Sequence, residues 1–371
     1  MEQREKAIVF GVHVKGKETD FDYSMEELKG LAAACHLQVV GDIRQKLPRL
    51  HQSHYLGSGK LEELRQLVQV TGAQLVICND ELSLSQIRVL EEKLEIKVID
   101  RTMLILDIFA QRARTREAQL QVEVAQLEYM LPRLVGQREH LSRQGGGAGL
   151  KNRGAGETKL ELDRRKIEEK ISALNKELEL IEARRKTQRK QRQKGDLPIV
   201  SLVGYTNAGK STVMNALVDL FHPTANKHVF AKDMLFATLE TSVRKIQLPN
   251  NKSFLLADTV GFINKLPHHL IKAFRSTLEE VVDADLIIHV VDYSAPNYQT
   301  LMEVTNKTLD EIGVSDIPVI VAYNKGDLVQ ADLPRVENDA VYLSAKQRVG
   351  IKELIHVISQ HIFKDYIHCE L

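Results

Sequence analysis

One octapeptide constrains this chain more than any other stretch: Gly204, Tyr205, Thr206, Asn207, Ala208, Gly209, Lys210 and Ser211 in succession. An apolar run over 199–203 precedes it and reads as a buried strand; an amphipathic stretch over 211–220 follows and reads as a helix. A glycine loop between a strand and a helix is a phosphate cradle. Its glycines let successive N–H groups curl inward, and the positive end of the helix dipole adds to them. Lys210 would reach the β- and γ-phosphates, and the Ser211 hydroxyl would sit on Mg²⁺. The competing reading, a glycine-rich turn before an ordinary helix, does not account for the flanking strand and helix together.

Three further motifs, each ending an apolar run, select the nucleotide. A strand over 253–258 ends in Asp258, Thr259, Val260 and Gly261, where the carboxylate can hold the Mg²⁺ shell and the Gly261 N–H can meet a γ-phosphate. A strand over 317–323 runs into Asn324, Lys325, Gly326 and Asp327. The Asp327 carboxylate can accept from guanine N1–H and the 2-amino group, whereas adenine offers no donor at either place and leaves a buried charge unpaired. Val341 to Lys346 comes last, with backbone N–H groups of Ser344, Ala345 and Lys346 set to hold the guanine carbonyl. Their order implies a GTP-binding domain of P-loop, Ras-like type over 196–371. A second Mg²⁺ ligand, Ser or Thr, belongs between the first helix and Asp258; Thr224, Thr238 and Thr241 all qualify.

At 371 residues the chain has room for two or three cores, and its net charge of +1 gives no global field for nucleic acid. Cys35, Cys78 and Cys369 lack metal-ligand spacing. The expectation is a reducing, cytoplasmic setting without disulfides. No run reaches membrane-spanning length, the charged amino terminus has no apolar stretch behind it, and nothing requires more than a monomer.

Residues 1–110 alternate strand and helix, with strands over 7–14, 39–40, 73–78 and 95–100 and helices over 24–34, near 60–70 and over 83–94. That pattern predicts a small α/β domain with a parallel sheet. Gly57 to Lys60 lacks full phosphate-loop spacing and reads as a turn before a helix, although such a corner can also touch an RNA phosphate. Over 111–195 the chain changes. Leu120, Val124, Leu127, Leu131 and Leu134, then Leu160, Ile167, Ile171, Leu174, Leu178 and Ile181, form heptad stripes of an antiparallel helical hairpin. Pro132 is expected to kink or end the first helix, and the second, from about 158 to 193, to project. The connection 135–158 is rich in glycine and carries Arg138, Arg143, Lys151 and Arg153, which suits RNA contact better than a plain linker. A basic run over 184–194 closes the second helix, either as a solvated, dipole-matched end or as a second RNA contact.

Several further stretches belong together: Tyr55-Leu-Gly-Ser-Gly-Lys60, Asp100-Arg-Thr with Leu104-Ile-Leu-Asp-Ile-Phe-Ala-Gln-Arg112, Gln126-Leu-Glu-Tyr-Met-Leu-Pro-Arg133, and Arg143-Gln-Gly-Gly-Gly147. Gly154-Ala-Gly-Glu-Thr158, Leu162-Asp-Arg-Arg165 and Phe236-Ala-Thr238-Leu complete the set. With these stretches the chain resembles the HflX-type GTPases over nearly its whole length. The resemblance implies a cytoplasmic GTPase that binds the ribosome, mainly its large subunit, through the hairpin tip and amino-terminal domain. It would split or rescue stalled ribosomes or act in subunit biogenesis, with hydrolysis controlling release. It also implies that Thr238 is the switch threonine on Mg²⁺ and the γ-phosphate, with Phe236, Ala237, Leu239 and Glu240 beside it. Lys210, Thr238 and Gly261 would carry the chemistry.

There are departures. The tip is two residues longer around Lys151 and Asn152, Ala155 stands where the family usually has proline, and Glu240 and Thr241 replace a common Asp-Pro. The further carboxy-terminal domain of some members is also expected to be missing. Phe262 follows Gly261 where Ras-like proteins carry the glutamine that orients water, which predicts slow intrinsic hydrolysis. Asn207 resembles the asparagine that binds K⁺ in GTPases lacking that glutamine; the alternative is a hydrogen bond to the switch. Two rival functions are a regulatory switch for protein partners with a protein-binding hairpin, and an ATP-driven RNA remodeller using the amino-terminal domain.

Overall fold

Four apolar runs at the amino end pair as an all-parallel sheet in the order β2-β1-β3-β4. These are β1 (Lys6–Val14), β2 (Gln38–Leu47), β3 (Leu75–Cys78) and β4 (Lys97–Asp100), with α1 (Phe21–Ala34), α2 (Ser58–Thr71) and α3 (Leu84–Leu94) between them and α4 (Arg101–Arg112) after. The computed structural model describes residues 4–16, 20–144, 153–193, 197–221, 235–236, 241–249, 251–265, 281–314 and 316–363, with the backbone alone for 134–144, 153–160 and 185–193. The chain forms two compact units, Met1–Ile181 and Glu182–Leu371.

In the first unit the central strands β1 and β3 are buried on both faces, as parallel strands covered by helices must be. Ile8, Phe10, Val12, Val76 and Cys78 pack on Leu61, Leu64 and Val68 of α2 and Leu90 and Leu94 of α3. Helices α1 and α4 pack on each other and on β1 and β3 respectively. Cys78 is a core residue, as its apolar run implied, and Cys35 and Cys78 are both free. Strand β2 is ten residues long, far more than the Val39–Val40 nucleus expected. It is an edge strand whose polar residues pair outward: Arg44 with Asp22, Glu26 and Asp42, and Lys29 with Asp42. Charged pairing of this kind blunts an open sheet edge. Gly57 caps α2 and donates its N–H to Gln45 Oε1, while Lys60 pairs with Glu63, so this corner is a turn before a helix.

Asp100 joins this sheet to the hairpin. Its Oδ1 accepts from Met103 N (2.9 Å) and so caps α4. Its Oδ2 accepts from Leu82 N (3.1 Å), Tyr129 OH and Arg133 Nη2 (3.1 Å). The neighbouring Arg101 is buried and pairs with Glu27, with Nη1 also donating to Asn79 Oδ1 at 3.1 Å.

The hairpin is α5 (Arg116–Gln144) and α6 (Arg153–Gln193). Leu120, Val124, Leu174 and Leu178 form its buried seam, flanked by Leu127, Ile171 and Ile181, as the heptad stripes predict. Arg116–Glu177 (2.8 Å) and Lys170–Glu123 (2.6 Å) pair across it and fix the antiparallel register. Two expectations are narrowed. Of the two outcomes expected at Pro132, a kink or an end, the end is excluded: Arg133 immediately after it is tied to Asp100, to Leu82 O and to Tyr129 O, which holds the next turn in place. The connection is also shorter than 135–158, since α5 runs to Gln144 and α6 begins at Arg153. Helix propagation from a formed nucleus outweighs the cost of Gly154 and Gly156, about 1 kcal/mol each. The side chains of Leu134, Arg138, Arg143, Arg153 and Leu160, and all of Lys151 and Cys369, lie outside the description.

In the second unit seven strands run in the order β10-β11-β9-β8-β5-β7-β6. They are β5 (Ile199–Val203), β6 (Ser242–Gln247), β7 (Ser253–Asp258), β8 (Leu286–Asp292), β9 (Val319–Asn324), β10 (Arg335–Glu337) and β11 (Ala340–Tyr342). The five inner strands are parallel, with β6 and β10 antiparallel at the two edges. Helices α7 (Lys210–Phe221) and α9 (Ile351–Ile362) bury Val213, Met214, Leu217, Leu354 and Ile358 against one face, and α8 (Tyr298–Glu311) packs on β8. The observed class is the expected one: a parallel α/β sheet, a helical hairpin and a P-loop α/β domain.

Candidate functional site

The phosphate loop and the motifs at Asp258, Asn324 and Ser344 each lie at the carboxyl end of a parallel strand, on the two sides of β5 where the strand order reverses. That edge is where open α/β sheets hold ligands. The loop 204–209 leaves β5 and enters α7 at Lys210. Two of its glycines are obligatory. Gly204 (φ 145°) passes so close to Val290 O, and Gly209 (φ 97°) to Asn324 Nδ2, that a Cβ fits at neither.

Lys210 is 6% exposed, and its Nζ donates to Gly204 O (3.1 Å) and Tyr205 O (3.0 Å), which holds the ammonium over the mouth of the loop. Burial pulls its pKa down to about 8, with the Asp258 carboxylate working the other way. Beneath it, burial and then the Lys210 charge bring His289 down to about 4, so this imidazole is neutral at physiological pH. Ser211 Oγ donates to Asp258 Oδ2 at 2.6 Å, bringing a hydroxyl and a carboxylate together beside the loop. Those are hard oxygen donors, the set that Mg²⁺ takes. Thr259 plays another part: it is buried, and its hydroxyl donates to Leu202 O (2.7 Å), fastening β7 to β5.

The glycine at 261 is drawn onto the loop. Thr206 N donates to Phe262 O (2.7 Å) and Phe262 N to Gly204 O (3.1 Å), making a short parallel bridge. Tyr205 strengthens it, since its hydroxyl accepts from Asn264 N at 2.7 Å. Phe262 is 2% exposed, in keeping with a residue that orients no water. Asn207 stands exposed at φ 61°.

On the base side, Asn324 braces two loops: its Nδ2 donates to Ala208 O (2.9 Å) and its Oδ1 accepts from Ala345 N (2.9 Å). The Ala345 amide expected to meet the guanine carbonyl is thus already donated to Asn324. Lys325 takes a left-handed turn (φ 63°) into the 3-10 turn Gly326–Leu328, which carries Asp327 half-buried. Ser344 is buried, and its Oγ accepts from Gln347 N at 3.2 Å. Lys346 is exposed after it.

The site therefore gathers Gly204 to Ser211, Asp258 to Gly261, Asn324 to Asp327 and Ser344 to Lys346. Phe236 is described and buried, whereas Ala237, Thr238, Leu239 and Glu240, and the alternative Thr224, lie outside the described residues. Thr241 precedes β6. Sequence reasoning missed Asp292, which pairs with Lys325 Nζ (2.8 Å) and accepts from Ser294 N (3.0 Å). Its place at the end of an apolar strand, like Asp258, was the available signal. It also missed Tyr205 OH and Asn264. Among the described residues no group of His, Cys, Asp and Glu suits a metal ion by itself, and no helix is long and apolar enough to cross a membrane.

Comparison with known proteins bears on all of this. Residues 22–110 match the family described as GTP-binding GTPase N-terminal, 112–192 the GTP-binding GTPase Middle Region, and 199–325 the 50S ribosome-binding GTPase. A GTPase HflX of Caldanaerobacter subterraneus subsp. tengcongensis is 46% identical over 362 residues, spanning 98% of this chain and 82% of its own. The GTPase HflX of Escherichia coli is 42% identical over 365 residues, spanning 96% of this chain and 83% of its own. A crystal structure of SsGBP in complex with GDP superposes with a TM-score of 0.53 at 23% identity, covering 97% of this chain and 99% of that one, and shares the fold.

Proposed function

The chain belongs to the HflX family of GTPases and is a GTP hydrolase, and on that premise we propose that it acts on the ribosome. It binds chiefly the large subunit, and splits or rescues stalled ribosomes or serves subunit biogenesis, with hydrolysis controlling its release. The observation that carries this reading is the near-full-length likeness to GTPase HflX relatives, joined to the 50S ribosome-binding GTPase match over 199–325.

The division of labour follows the three sequence segments. Residues 1–110 and the hairpin 111–195 meet ribosomal RNA, with the cationic, glycine-rich tip foremost; residues 196–371 bind and hydrolyse GTP. Lys210 neutralises charge on the β- and γ-phosphates, the Gly261 N–H meets the γ-phosphate, and Asp327 selects guanine. Ser211 and Asp258 fit a Mg²⁺ site, with Thr238 as the second ligand in the GTP state. Bound there, the ion would offset the negative charge that builds between the β- and γ-phosphates. Asn207 is a candidate K⁺ ligand, since buried Phe262 supplies no polar group to the reaction.

With no glutamine beside Gly261, turnover by the protein alone is slow, and the ribosome orders the segments around Thr238 and Gly261. GTP turnover measured with and without purified large subunits tests this. The expected result is an acceleration of roughly tenfold or more. Equal rates would refute the ribosomal reading and leave a GTPase with another partner.

A further inference from the structure

We infer that Thr206 is a γ-phosphate ligand: its side-chain hydroxyl gives the loop a hydrogen bond that GTP accepts and GDP cannot. The inference rests on the GTP-hydrolysing site alone and is independent of what the protein does on the ribosome.

Thr206 is the third residue of the phosphate loop and is 6% exposed. Its Oγ1 is buried and has no hydrogen-bond partner among the described residues. Buried hydroxyls are rarely left in that condition, because desolvation is uncompensated; when one is, a ligand or water is the usual reason. Its surroundings indicate which ligand. A Cβ built on Gly261 would lie 2.8 Å from Thr206 Cα, 2.9 Å from Thr206 Cγ2 and 2.9 Å from Lys210 Nζ. The Thr206 Cα and methyl thus lie against Gly261, with Lys210 Nζ beside them. The phosphate-binding lysine and the glycine read as the γ-phosphate contact therefore place this residue at the γ end of the site.

The backbone explains why a side chain is needed. In a phosphate loop the successive amides supply the hydrogen bonds. Here the Thr206 amide points away, donating to Phe262 O at 2.7 Å in the bridge that pins Gly261 to the loop. A position that has turned its N–H to the switch can still donate to phosphate through a hydroxyl. Threonine supplies that donor, and its methyl packs toward Gly261.

The test uses the full chain with Thr206→Val, which keeps the shape and removes the hydroxyl, and Thr206→Ser, which keeps the hydroxyl and removes the methyl. Affinities for GDP and for a non-hydrolysable GTP analogue are measured by calorimetry, with kcat/KM for GTP and the Tm of nucleotide-free protein. For Thr206→Val, GDP affinity should stay within about twofold, while analogue affinity and kcat/KM should fall about tenfold, the loss of one hydrogen bond to a charged acceptor. Its nucleotide-free Tm should hold or rise, because a buried unsatisfied hydroxyl has gone. Thr206→Ser should restore analogue binding to near wild type. An unchanged ratio of GDP to analogue affinity in Thr206→Val would overturn the assignment, as would a fall in its nucleotide-free Tm, equal loss of both nucleotides, or failure of Thr206→Ser to rescue.

Discussion

Replacing Lys210 with alanine should abolish measurable GTP turnover while leaving the protein folded. The ammonium is nearly buried and held over the loop by Gly204 O and Tyr205 O. Losing one preorganised group aimed at transition-state charge costs about 10²–10³ in kcat/KM, and weaker phosphate binding adds to that. The fold has no such dependence, since a buried ammonium whose pKa has fallen from 10.5 to about 8 is a liability to the nucleotide-free protein. Between those two values the unfolded chain binds a proton that the folded protein has lost, so stability rises with pH across that window. In Lys210→Ala that rise should be absent and the midpoint near pH 7 equal to or above wild type. Phosphate release and denaturant unfolding at pH 7 and pH 9.5 check both halves. ATP turnover surviving in the variant would instead support a separate nucleotide site in the first unit.

Asp100→Ala should be the most damaging single change in the first unit. The carboxylate is fully buried, caps α4 through Met103 N, and ties α5 to the sheet through Tyr129 and Arg133. Removing it leaves Arg133 without its counter-charge and Tyr129 and Leu82 without an acceptor. Breaking a buried pair from one side costs about 3–5 kcal/mol, because the partner remains buried and uncompensated. Asp100→Asn keeps an acceptor for the cap and should fall between. Urea unfolding of the two variants reads the difference. A loss below about 1 kcal/mol for Asp100→Ala would mean that apolar packing of α5 on α4 holds the hairpin base without this network.

These two residues also show what a single sequence makes legible. Lys210 could be assigned because its partners are local and its context is a strand, a loop and a helix within a few turns of chain. The motifs at Asp258, Asn324 and Ser344 were readable for the same reason, since each ends an apolar run. The role of Asp100 was not visible beyond a strand end and a resemblance, because its partners Leu82, Tyr129 and Arg133 lie in the loop before α3 and on α5, away from it in the chain. Arg101 and Glu27 are a buried pair 74 residues apart, which no local pattern announces.

Errors of extent came from the same limit. Strand β2 continues through Asp42, Arg44 and Lys46 because an edge strand needs only one covered face, and such residues read as loop. Glycines at 154 and 156 read as loop too, yet the helix that begins at Arg153 runs through them. Helix α4 went unread because Asp100 is at once the last residue of β4 and the cap of the helix, with no turn between them. The contact of Thr206 with Gly261 joins residues far apart in the chain and was not read, although the sequence had set both Lys210 and Gly261 at the γ-phosphate.

GTP is expected to turn this protein into a ligand of the large ribosomal subunit. Co-sedimentation with isolated large and small subunits, in non-hydrolysable GTP analogue, in GDP and without nucleotide, tests it most directly. The protein should pellet with large subunits in the analogue and stay largely in the supernatant with GDP. Equal partition in all three conditions, or a preference for the small subunit, would contradict it.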